Sequence, residues 1–242
     1  MASATLSPQT RSSLQVLAAD LRRVFGNRLL SICAYGLEHG AENNTHSIVL
    51  VDRLTFDDLA ACAPLTPGWE ARGLAVPLLL EEHEFMRTLD VFPLEYGDII
   101  AHHVVIEGND PFRDIAVPEA DRRRACELQA KSHLIHLRES YLETGGDARG
   151  VSRLIGASTE GFRHLLDNLV TLLRPAAAQV PGHDDLAEQA QALLGVPADL
   201  TREVLSAGAG GPSTIADLTA LLERYIAAVD RIWEFVDEWK RQ

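Results

Sequence analysis

Lysine is nearly missing from this 242-residue chain. Of 22 basic residues only Lys131 and Lys240 are lysines, and 35 acidic residues leave a formal charge of -13. A surface this acidic repels DNA, RNA and anionic lipid, so no nucleic acid or membrane partner is expected. Cysteine is also scarce. Cys33, Cys62 and Cys126 are odd in number, widely spaced and free of any Cys-x-x-Cys pattern. That excludes a full disulfide framework and argues against a zinc site, leaving reduced, buried thiols as the expectation. No run approaches the roughly 20 apolar residues of a spanning helix. The opening MASATLSPQTRSSLQ has no apolar signal core, so a cytoplasmic protein is expected. There is no Gly-x-Ser-x-Gly, phosphate loop or dinucleotide fingerprint. What is present, 46% hydrophobic and 24% charged residues, suits a globular chain rather than a disordered one.

The pattern changes character near residues 112–118. Before that point, residues 8–25 read as an amphipathic helix opened by Pro8 and stopped by Gly26, with Leu14, Leu17, Leu21, Val24 and Phe25 on one face. Leu29–Gly36 and Ser47–Asp52 read as buried strands, joined by the polar connector LEHGAENNTH. Residues 55–63 form a short helix that Thr55 is placed to cap. Leu74–Leu80 is a third strand that Pro77 pushes towards an edge or a bulge. A helical piece, EEHEFMRTL, follows. Phe92–Ile100 and His102–Gly108 are read as two further strands, which places His102 and His103 on opposite faces and gives each a structural role. These elements imply an α/β domain with a small mixed sheet over residues 1–116.

Residues 117–242 read as an all-α bundle, with helices near 118–144, 151–174, 184–194 and 199–206 and a linker at Ser206–Ser213. The last helix carries Ile215, Leu218, Leu222, Tyr225, Val229, Ile232, Val236 and Trp239 at three-four spacing. That stripe suits packing inside a bundle, with a homodimer through this helix as the alternative.

The helix near 120–143 places charges among apolar residues. Cys126, Leu128, Ala130, Leu134, Ile135, Leu137, Tyr141 and Leu142 fall on one broad face, and Glu127, Lys131 and Arg138 project into it. Glu127 and Lys131 are four residues apart and are expected to pair. Buried charge demands a partner, so these residues either form an ion-pair network between helices or line a polar cavity towards the first domain, where a basic pair suits phosphates. His133 and His136 are read as solvated. Cys33, inside a strand, is read as core rather than nucleophile.

The order helix, strand ending in Tyr35-Gly36, polar loop, strand and later helical bundle resembles the nucleotidyltransferase superfamily. The runs VPLLLEEHEFMRTLDVFPLEYGDI and ELQAKSHLIHLRESYL are similar to segments of bacterial two-domain proteins with a nucleotidyltransferase-type domain and a helical domain. The resemblance implies Gly-Ser after the first strand, Asp-x-Asp opening the second and a third carboxylate later, together holding two Mg²⁺ ions for nucleotide transfer. Here Gly36 matches, Leu37 stands at the Ser position, and Thr45 and Ser47 stand where the acids would be. Glu95 is the weak candidate for the third acid, with Asp98 and Asp90 behind it.

The reading that follows is a degenerate, non-catalytic nucleotidyltransferase-like protein. It would bind a nucleotide or a protein partner between its domains through Gly36, Thr45, Ser47, Glu95, Lys131 and Arg138, and no metal or cofactor is expected. Two alternatives stand beside it. One is an active transferase using Mg²⁺ and a nucleoside triphosphate through relocated Glu42, Asp52 and Glu95. The other is an interaction module or homodimer.

Overall fold

The computed structural model describes residues 6–37, 44–173, 183–207 and 215–239. They fall into two units, Met1–Pro118 and Glu119–Gln242. Helix α1 (Pro8–Phe25) is fixed at its start by Ser7, whose hydroxyl accepts a hydrogen bond from the Thr10 amide at 3.0 Å, and by Pro8 in the first turn. Its Leu14, Leu17, Leu21 and Phe25 are buried. Strands β1 (Leu29–Tyr35) and β2 (His46–Val51) pair antiparallel. Helix α2 (Phe56–Cys62) begins with a reciprocal capping box between Thr55 and Asp58. Asp58 also takes both guanidinium arms of Arg28, at 2.6 and 2.8 Å, tying α2 to the start of β1. That bidentate pair holds the Asp58 carboxyl well below the usual carboxylate range.

Helix α3 (Thr66–Glu70) carries Trp69 into the core, and β3 (Leu78–Glu81) runs parallel to β2. Helices α4 (Glu82–Arg87) and α5 (Pro93–His102) precede β4 (Val104–Gly108), which pairs antiparallel with β1. The sheet order is β3-β2-β1-β4. Side chains alternate along each strand, so the sheet buries both faces. Ile32, Ala34, Val49 and Val51 pack under α1 with Cys62 and Trp69. Cys33, Ile48 and Leu50 pack on the other face with Phe85 of α4, Tyr96 and Ile99 of α5, and Phe112.

Three local expectations change. Phe92–Ile100 is helix and not strand. Pro93 occupies the first turn, and Tyr96 and Ile99, three residues apart, both reach the core, a spacing that suits a helix and not an alternating strand. His102 therefore closes α5 and His103 follows it, before β4 begins at Val104. The third strand starts at Leu78, directly after Pro77, because proline cannot donate to the ladder. Ahead of it, Thr45 makes an isolated parallel bridge to Leu74.

The second unit holds α6 (Glu119–Glu143), α7 (Ala148–Leu173), α8 (His183–Leu194), α9 (Ala198–Ser206) and α10 (Ile215–Glu238). Most of the expected linker at Ser206–Ser213 lies outside the described residues. Of the stripe on the last helix, Leu218, Leu222, Tyr225, Val229, Ile232 and Val236 are buried within this unit, where α10 packs on α6, α7 and α9. Among the described residues, no helix is long and apolar enough to cross a membrane.

Candidate functional site

The end of the β1–β2 hairpin gathers three of the expected residues. Tyr35 pairs with His46 and Ala34 with Ser47, so Gly36, Thr45 and Ser47 lie within one turn of chain of each other. Gly36 has φ +67°, the left-handed conformation that glycine adopts without steric cost. Thr45 is pinned by its backbone: its amide donates to Gly73 O, and its carbonyl accepts from the Ala75 amide, both at 2.9 Å. Ser47 is 1% exposed, on the strand face of Val49 and Val51, and its Oγ has no hydrogen-bond partner among the described residues. An orphaned buried hydroxyl costs free energy, on the order of 1–3 kcal/mol. Leu37, at the position the resemblance gives to serine, packs against the apolar cluster on this same face.

This donor set does not fit a pair of magnesium ions. Such a site needs convergent carboxylates, whereas Thr45 and Ser47 offer neutral hydroxyls. On the neighbouring strand Leu78 pairs with Ile48, so the residue beside Ser47 is Pro77, which supplies no ligand. The first carboxylate on β3 is Glu81, at the far end against Val51, where it accepts from the Leu54 amide at 2.8 Å. Among the described residues, no three His, Cys, Asp or Glu side chains converge as a metal requires.

The remaining carboxylate candidates do not gather there. Glu95 lies in the first turn of α5, which covers the face opposite Ser47, because Tyr96 and Ile99 pack with Ile48 and Leu50. Asp52 lies just past the other end of β2, about 17 Å along the strand from Ser47. Glu42 lies outside the described residues.

A polar group that sequence reasoning did not assemble stands on the α5 face of the hairpin end. The rings of Tyr35 and His46 lie 5.6 Å apart, and Asp98 of α5 bonds His102 Nδ1 at 2.8 Å. Burial, and then the charge of Asp98, push the Tyr35 phenol up. The helical spacing Asp98–His102 was the only signal, and it was hidden by the strand assignment. His103 turns elsewhere: Nε2 lies 3.1 Å from Asp110, and its ring stands edge-on to Phe112. The cysteines are buried and unpaired, and burial drives Cys33 up to about 11 and Cys126 up to about 12, where neither is nucleophilic at neutral pH.

In the second unit, the charges of α6 meet successive turns of α10. Arg123 donates to Val236 O at 2.6 Å and holds Glu127 at 3.1 Å, so Glu127 pairs with Arg123 and not with Lys131. Lys131 instead lays its ammonium 3.3 Å from the centroid of the Trp233 ring, a cation–π contact. Arg138 reaches Asp230 at 3.2 Å. His133, expected in solvent, lies against α10 and α7: Nε2 is 2.5 Å from the Tyr225 hydroxyl, and its ring stacks on Phe162. His136 remains exposed beside Glu139. Leu128, Ile135 and Leu142 are exposed, so the broad apolar face expected on this helix is two faces.

No family model matches the chain, and no curated protein sequence matches it. By structure, the fold is nucleotidyltransferase-like, a small mixed sheet with helices followed by a helical region. The likeness is to spectinomycin adenyltransferase AAD(9) from Enterococcus faecialis, solved with ATP and spectinomycin. The match has 12% identity and a TM-score of 0.53, and covers 91% of this chain and 98% of that one. At this identity the likeness concerns the fold.

Proposed function

We propose that this chain is a nucleotidyltransferase-like protein that binds a nucleoside triphosphate without transferring it. The observation that carries the reading is Ser47. At the strand opening where the two-metal reaction needs a charged oxygen, the chain buries a neutral hydroxyl with no partner among the described residues. The hairpin end is regular, with Gly36 left-handed and the β1–β2 register unbroken from Ser31–Leu50 to Tyr35–His46. ATP is the ligand carried over from AAD(9), whose structure was solved with it. Phosphate oxygens accept from neutral hydroxyls, and the half-buried Thr45 hydroxyl beside Gly36 is the donor this reading uses, so binding here needs no divalent cation. Lys131 and Arg138 are engaged within the second unit, with Trp233 and Asp230.

The test is a thermal-shift titration of the full chain with ATP, once with Mg²⁺ and once with EDTA, beside incubation of labelled ATP with Mg²⁺ and spectinomycin. Saturating ATP is expected to raise the unfolding midpoint by a few degrees, about what ~2–3 kcal/mol of ligand linkage gives. The rise is the same in EDTA, no label is transferred, and Gly36→Val abolishes the shift. Mg²⁺-dependent transfer would restore the relocated-carboxylate alternative. No response to ATP would remove the nucleotide from the reading.

A further inference from the structure

Helix α6 is apolar on two opposite sides. Cys126, Ala130, Leu134 and Leu137 are buried in the second unit, where α6 packs on α7 and α10. On the other side stand Leu128, Ile135 and Leu142, exposed by 71%, 42% and 78%. Their spacing is seven residues, so at about 100° per residue the three stay within a stripe roughly 40° wide and about 21 Å long. A single exposed leucine is ordinary, whereas three large aliphatics lined up along one helix face form an apolar stripe that a partner can cover.

The pattern along this seam is its own complement. Ile135 is its midpoint, with Leu128 and Leu142 seven residues to either side. Lys131 and Glu139, of opposite sign, lie four residues to either side. If two α6 helices cross antiparallel about a two-fold axis at Ile135, Leu128 meets Leu142 of the second copy, and Ile135 meets its own equivalent. Each Lys131 then faces a Glu139, and no charge faces its like across these positions. The Trp233 ring under the Lys131 ammonium holds that side chain at the rim of the stripe, and Glu139 stands open beside His136. The part of the stripe on α10 from Leu218 to Val236, by contrast, is buried.

We infer that α6 is the seam of a homodimer, paired antiparallel about Ile135, with rim charges Lys131 and Glu139 crossing between copies. Both copies use one patch, so the interface closes at two. Three aliphatic residues per copy fall well short of the roughly 800 Å² per partner of a standard interface, so the association is weak and is sought in the micromolar to millimolar range.

Sedimentation equilibrium of the full chain across that range reads the association directly. Ile135→Glu sets two carboxylates against each other at the axis and is expected to weaken dimerisation at least tenfold. Lys131→Glu and Glu139→Lys each weaken it, and the double charge reversal restores it, which a merely structural role for either residue would not do. Because the native cysteines are buried, single surface cysteines report register. Ile135→Cys cross-links to itself, and Leu128→Cys cross-links to Leu142→Cys in a mixture but not to itself. A chain that stays monomeric up to millimolar concentration overturns the inference. So does a dimer indifferent to Ile135→Glu, which would sit on another surface, or a dimer whose cross-links fall in another register.

Discussion

His133 is held in the neutral form by its surroundings. Burial against Phe162 and Tyr225, and then the charge of His136, bring its pKa down to about 4. The tyrosine hydroxyl lies 2.5 Å from Nε2, and burial raises the Tyr225 phenol, so this pair stays uncharged and hydrogen-bonded at neutral pH. The folded imidazole resists a proton that the unfolded chain accepts near 6.5. Its contribution is therefore full above about 6.5 and is lost as pH falls towards 4, by about 2–3 kcal/mol in all. Urea unfolding of the native chain and of His133→Gln, compared at pH 7 and 4.5, checks this. The native chain should lose more stability than the variant by that amount, and equal losses would show that His133 titrates as if in solvent.

Two glycines separate what a strand junction demands from what a turn demands. Gly108 ends β4 with φ +80°, and a Cβ there would lie 2.0 Å from the Leu30 carbonyl oxygen, inside the β1–β4 pairing. Backbone cannot yield as a side chain can. Gly108→Ala is thus expected to cost at least about 2 kcal/mol and to loosen β4. At Gly36 a Cβ would meet only the His46 ring at 3.7 Å, an ordinary contact. Gly36→Ala then carries only the left-handed strain, about 1 kcal/mol. Urea midpoints of the two variants should keep that order, and a reversed order would mean the hairpin end is the tighter of the two places.

The elements legible from sequence were those whose local signals agree. α1 has a cap, a proline and a single buried face, α2 has its capping box, and β1 and β2 are short apolar runs bounded by polar chain. Thr45 and Ser47 could be placed because their distance from the apolar part of β2 is fixed. α5 was hidden because proline, glycine and mixed apolar residues in Phe92–Ile100 fit either period, and only packing of Tyr96 and Ile99 on the sheet decides. α6 misled for a different reason: apolar residues on opposite faces merge into one broad face when only one core is assumed. Nor could any pattern show that Glu127 would pair with Arg123, four residues before it, and not with Lys131, four residues after it, because Val236 and Trp233 of α10 engage those two cations. Nor could it show that the Ser47 hydroxyl would lack a partner among the described residues.

At the scale of the whole chain, the charge of -13 acts against any second copy. Each α6 seam brings two Lys131–Glu139 pairs, and exposed pairs are worth only about 0.2–1 kcal/mol each. Against them stand thirteen net negative charges on each chain, repelling over distances that depend on salt. Near 10 mM salt the screening length is about 30 Å, so most of the two surfaces feel each other, while near 150 mM it is about 8 Å and only adjacent groups do. The same salt weakens the rim pairs, but by less than it relieves the repulsion, because the pairs are few and close while the repelling charges are many and far. The apolar contacts of Leu128, Ile135 and Leu142 are indifferent to it. Dimerisation is therefore expected to strengthen about tenfold between 10 and 150 mM NaCl, read by sedimentation equilibrium, and to strengthen no further beyond about 0.5 M, where the rim pairs are screened as well. In Lys131→Ala, which removes the attractive pairs and leaves the repulsion, the rise with salt should be steeper than in the native chain. A dimer that weakens steadily from 10 mM upwards would mean that attraction between charges, and not the aliphatic seam, holds the copies together.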